Sequence, residues 1–139
     1  MLGGNSQNNQ LASTEFITTA GAVNGPTLPE AVDRPCAVKF PDNGFIYLIG
    51  GDTGSSITKS SSQTNNVWVA NPSNLFAGFT KGPSMMAPRQ HHGCGTMSIG
   101  TKSIIVAAGG MNNIGYINTV FLASVEILDP LLNKWVTGK

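Results

Sequence analysis

Charge is scarce in this sequence. Its 139 residues include 8 basic and 7 acidic side chains, 11% of the chain, against roughly 25% in an average soluble domain. So sparse and balanced a charge excludes an electrostatic nucleic-acid binder and a polybasic membrane anchor. No apolar run approaches the roughly 18 residues of a membrane-spanning helix. Two cysteines, Cys36 and Cys94, are too few for a disulfide scaffold or a four-cysteine zinc site. Helical periodicity is missing too. Apolar residues nowhere recur at i, i+3, i+4 and i+7 over a sustained stretch. The best helical stub, Pro29-Glu30-Ala31-Val32-Asp33, is stopped by Pro35. No secretory leader is recognisable, and the reading leans to the cytoplasm.

What is present is polar without being charged. Ser, Thr, Asn and Gln number 41, and these residues favour strands and turns where a helical domain would carry Glu, Lys and Arg. The class expected is all-β. Self-comparison then reveals repeats, the mark of a repeat architecture. Three diglycines, Gly3-Gly4, Gly50-Gly51 and Gly109-Gly110, each close an apolar stretch. A second signal follows each one: Ala22-Val23-Asn24-Gly25-Pro26, Phe79-Thr80-Lys81-Gly82-Pro83 and Trp135-Val136-Thr137-Gly138, in steps of 57 and 56 residues. Between the two signals lie Glu15-Phe16-Ile17, Val67-Trp68-Val69 and Val125-Glu126-Ile127-Leu128.

Read as strands, each full period holds four. Strand a is Cys36–Phe40 and then Gly93–Ile99, and strand b is Phe45–Gly51 and then Ser103–Gly110. Strand c is Asn66–Ala70 and then Ser124–Asp129, and strand d is Gly78–Gly82 and then Lys134–Gly138. The b strands are continuously apolar, which implies burial on both faces. Such a unit is a propeller blade sandwiched between neighbours. Diglycine after an apolar strand, an Asn/Asp-Pro turn, and then an aromatic followed by Gly-Pro resemble the Kelch repeat, in which Trp135 keeps the usual tryptophan. The resemblance implies a propeller segment with a partial blade over 1–29 and complete blades over 30–83 and 84–139. A propeller closes with 4–8 blades, so the expectation is an oligomer or a piece of a longer chain. The function implied is a non-catalytic protein-interaction module, such as one recruiting ubiquitin-ligase substrates or binding the cytoskeleton. The alternative is an oxidase or isomerase whose active site lies in further blades.

The diglycines lack the following Lys-Ser/Thr and helix of a nucleotide cradle, so they read as backbone positions needing φ > 0. Asp52-Thr53-Gly54-Ser55 spells an aspartic-protease motif, which in a dimer would share a proton between two Asp, yet it falls in a variable loop after a repeated diglycine. His91, His92 and Cys94 suggest a metal, but adjacent strand residues point to opposite faces; packed, hydrogen-bonded histidine is the expectation. A copper oxidase would need more tyrosines than Tyr47 and Tyr116. No metal or cofactor is therefore expected. Cys36 and Cys94 occupy nearly equivalent places on successive a strands, where they either bond or stay as buried thiols. Because the strands alternate direction, the long b–c loops and the d–a loops share one rim. Partner contact is expected there, through Arg34, Ser55, Ser56, Arg89, Gln90, Asn112, Asn113 and Tyr116. The two arginines either read a partner's carboxylate or tie their loops to backbone carbonyls.

Overall fold

A computed structural model describes residues 2–6, 9–54, 62–114, 118–129 and 131–138. Its strands in chain order are β1 (Asn5–Ser6), β2 (Asn9–Gln10), β3 (Glu15–Thr18), β4 (Gly21–Asn24), β5 (Cys36–Lys39), β6 (Ile46–Ile49), β7 (Val67–Ala70) and β8 (Phe79–Lys81). They continue as β9 (Gly93–Ile99), β10 (Lys102–Ala108), β11 (Met111–Ile114), β12 (Asn118–Phe121), β13 (Val125–Asp129) and β14 (Lys134–Thr137). Two four-stranded antiparallel sheets, β5-β6-β7-β8 and β9-β10-β13-β14, follow a two-stranded β3-β4 sheet. Among the described residues there is no α-helix, and the Pro29–Asp33 stub is irregular. The strands stop short of the diglycines, because positive φ at both glycines takes the chain out of the pleat.

One difference from the sequence reading has a clear cause. The b–c connections, expected as long loops, fold back on themselves as the hairpins β1-β2 and β11-β12. They carry no alternating apolar face that would announce a strand. The connection after β7 forms 3-10 turns over Pro72–Ala77.

The β5–β8 sheet is covered on both faces. On one face Tyr47, Ile49 and Val67 are buried with Ile105, Ala107, Leu128 and Trp135 of the next sheet. On the other, Leu48 packs with Leu28 and Val32, and Trp68 and Phe79 pack against them. Antiparallel register explains the sorting, since Tyr47 pairs with Val69 and Leu48 with Trp68, and neighbours along a strand point oppositely. The outer face of the last sheet is open, and Met97, Ile99 and Val136 are exposed on it.

The sheets are sewn together by the segments that lead from one unit into the next. The Gly4 N–H donates to the Val32 carbonyl (2.8 Å) and the Gly51 N–H to the Arg89 carbonyl (2.9 Å). In return the Val32 and Arg89 N–H groups donate to Leu11 (3.1 Å) and Thr64 (3.3 Å). One residue later the same segment turns to its own sheet: Asp33 pairs with Asp52 and Gln90 with Met111, each in both directions. Each connecting segment is thus a backbone zipper between units.

The packing leaves no room for a side chain at Gly51 or Gly110. A Cβ at Gly110 (φ +88°) would lie 2.5 Å from the Gln90 carbonyl oxygen and 2.8 Å from His92 Cβ, whereas one at Gly95 meets nothing within 4 Å. Gly110→Val is expected to destabilise by at least the roughly 1–3 kcal/mol of a strained backbone, and Gly95→Val to be nearly neutral. Equal melting shifts for the two variants would contradict the register.

Candidate interaction rim

The connecting segments and the b–c loops place a polar network across the seam on one rim. Arg34 stands at its centre, held in the left-handed region (φ 52°) between Asp33, which pairs backbone-to-backbone with Asp52, and strand β5. Its guanidinium lies 3.3 Å from Asp33 and 3.9 Å from Asp52, and Nη1 donates to Gln90 Oε1 of the next unit (3.2 Å). Its side chain stays 44% exposed. Beside it, the Asn113 N–H donates to Gln63 Oε1 (2.7 Å), joining the two b–c loops. Asn112 is half-buried on the same hairpin. Ser55, Ser56 and Tyr116 lie outside the described residues.

Asp52 closes its own loop. Oδ1 accepts from the Gly54 N–H (2.9 Å) and the Ser62 N–H (3.1 Å). With Oδ2 turned to Arg34, the carboxylate is committed to loop and seam, which supports the loop reading of the Asp-Thr-Gly sequence over the protease reading.

Arg89 corrects the rim expectation. It is 0% exposed and does not reach outward. Nη1 donates to the Gly109 and Ser124 carbonyls (2.8 and 3.2 Å), and Nη2 to Glu126 Oε1 (2.6 Å). Of the two roles weighed for it, tying a loop to backbone carbonyls is the one it performs, and the buried cation is answered by a buried carboxylate. Gln90 is buried as well, so it can serve a partner only through Arg34. Glu126 also accepts from the Met86 and Ala87 N–H groups (2.6 and 3.0 Å). Asp33, Gln63 and Glu126 were not singled out from the sequence. Glu126, an acid inside an otherwise apolar strand, was the one with a readable signal.

The histidines separate just before β9, where His91 takes a left-handed backbone (φ 53°). His91 is exposed and His92 buried. His92 is wedged at the seam, its Cε1 3.0 Å from where a Cβ on Gly50 would stand and its Cβ 2.8 Å from the corresponding point on Gly110. Neither ring nitrogen meets a hydrogen-bond partner among the described residues, so the expectation of a hydrogen-bonded ring gives way to a packed one. Burial first, then the Arg89 cation, pushes its pKa down to about 4, with Glu126 acting weakly the other way. Cys36 and Cys94 are joined as a disulfide across the seam, Cα atoms 6.0 Å apart.

Antiparallel four-stranded sheets packed face to face, each ending strand b in a diglycine with positive φ, define a propeller-blade protein. The family model of the Kelch motif matches residues 89–139, within the last of these units. No curated protein matches the chain.

The buried ring sets a pH dependence. Unfolded imidazole takes its proton near 6.5 and folded His92 near 4, so between these values the unfolded state binds more protons. The His92 contribution is complete above pH 6.5 and is lost as pH falls to about 4, up to ~3 kcal/mol. Denaturant melts of the wild type and His92→Leu across pH 7 to 4.5 are expected to differ in slope by this amount. Parallel stability curves would show that the ring accepts its proton in the fold.

Proposed function

We propose that this chain is a non-catalytic protein-binding segment of a propeller, whose partner docks on the rim formed by the b–c loops and the connecting segments. The observation that carries the reading is Arg34, the exposed cation at the junction of two units, positioned by Asp33, Asp52 and Gln90. Kelch repeats are typically interaction modules, and loops on a rigid scaffold are where recognition resides. The flanking carboxylates refine the ligand chemistry. A partner's carboxylate must compete with Asp33 and Asp52 for the guanidinium, so the rim suits a partner that brings donors as well as acceptors, with Asn112 offering a neutral amide nearby. The opposite rim carries the short turn at Gly100–Lys102.

A peptide array probed with the wild-type chain, Arg34→Ala, Asn112→Ala and Lys102→Ala is the test. Spots bound by the wild type are expected to weaken about tenfold or more with Arg34→Ala, in keeping with about 2 kcal/mol or more for a charged contact that becomes buried, and to persist with Lys102→Ala. Loss with Lys102→Ala alone would place the site on the other rim.

A further inference from the structure

β5 and β9 are the first strands of successive units. They belong to different sheets and share no backbone pairing, so nothing of the ladder type fixes one against the other. The Cys36–Cys94 bond is the covalent link between them. It is not a repeated element of the blade. Cys36 pairs with Ile49, the residue before Gly50, whereas Cys94 pairs with Ala107, two residues before Gly109. The place equivalent to Cys36 in the next unit is Gly93, so the link cannot recur there. Both cysteines are half-buried. Gly93 and Gly95 flank Cys94 on β9 with nothing within 4 Å of a would-be Cβ, so the strand face opposite the sulfur carries no side chain at either position.

Elsewhere the seam is held without sulfur. It has the buried cluster around Tyr47, Ile49, Ile105 and Trp135. It also has the Gly51–Arg89 backbone bond, the Asp42–Ser103 side-chain bond (2.5 Å) and the Arg34–Gln90 and Gln63–Asn113 bonds. We infer that the Cys36–Cys94 bond is a redox-controlled clamp on the inner strands: oxidised, it fixes β5 against β9; reduced, it frees them while the rest of the seam holds. The reaction is dithiol exchange. A reductant thiolate attacks one sulfur and forms a mixed disulfide, releasing the other cysteine as thiolate. The reductant's second thiolate then displaces the remaining cysteine, giving two protein thiols and one oxidised dithiol, a transfer of two electrons and two protons. Such a bond persists in an oxidising compartment, which turns against the cytoplasmic leaning of the sequence.

The test uses the whole chain with and without dithiothreitol. Alkylation by iodoacetamide under native, non-reducing conditions is expected to label neither cysteine, and both after reduction. Reduction closes off a cross-link spanning 58 residues, and the melting temperature is expected to fall by about 10 °C. Amide exchange in β5 and β9 should accelerate at least tenfold while β6, β7 and β13 keep their protection. Cys36→Ser/Cys94→Ser should reproduce the reduced protein and ignore dithiothreitol. Thiols labelled without reductant, unchanged exchange in β5 and β9, or loss of protection throughout the chain on reduction would each overturn the clamp. The alkylation and exchange arms are read on the wild type and do not depend on how the variant folds.

Discussion

The second glycine of the first and of the second diglycine donates its N–H to the carbonyl of a residue that has already left for the next unit, and the rest of the architecture depends on that contact. At Gly51 it sets backbone against backbone so closely that a Cβ would lie 2.7 Å from the Asp33 carbonyl oxygen, and at both Gly4 and Gly51 it is made at positive φ, which glycine adopts freely. Because Gly4 and Gly51 bond Val32 and Arg89 in the same way, each unit receives its successor at a fixed height. The buried faces then meet in register, with Leu48 against Val32 on one side and Ile49 against Ile105 on the other. The rim inherits its geometry from the same source, since Asp33, Arg34 and Gln90 follow directly from the zipped residues.

The two seams answer one spatial problem with opposite chemistry. The residue whose carbonyl accepts from the glycine is Val32 in one seam and Arg89 in the other; Trp68 packs against the cluster that holds Val32, and Glu126 pairs with Arg89. Valine with tryptophan buries apolar surface, and Trp68 Nε1 reaches Glu30 (3.4 Å). Arginine with glutamate buries an ion pair, and Arg89 Nη1 donates to the Gly109 and Ser124 carbonyls. Removing one partner of such a pair costs about 3–5 kcal/mol, so mixed combinations of the two solutions are excluded. This explains how the repeats diverge in sequence while the backbone bonds do not.

The all-β class, the four-stranded units and their phase could be read in advance because they follow from spacing: diglycines, Gly-Pro signals and apolar runs are local features. Arg89 could not be assigned, because its fate depends on Glu126, a partner 37 residues away. A sequence shows the presence of both charges but not their meeting. The β11-β12 hairpin was hidden for another reason. Its pairing of Asn112 with Val120 and Asn113 with Thr119 rests on backbone bonds with little apolar alternation. The cysteines could be placed on neighbouring strands, yet bonding required an approach of two sheets that strand assignment alone does not supply.

Amide hydrogen exchange at the diglycines tests the zipper most directly. The Gly51 N–H is bonded across the seam to Arg89, whereas the Gly110 N–H, in the last unit, meets no acceptor among the described residues. Their backbone settings are otherwise alike, with positive φ at both. Native-state exchange followed by nuclear magnetic resonance is expected to find Gly51 protected as strongly as Leu48 in the core strand, and Gly110 exchanging at least a hundredfold faster. Equal protection at Gly51 and Gly110, or fast exchange at both, would contradict the account.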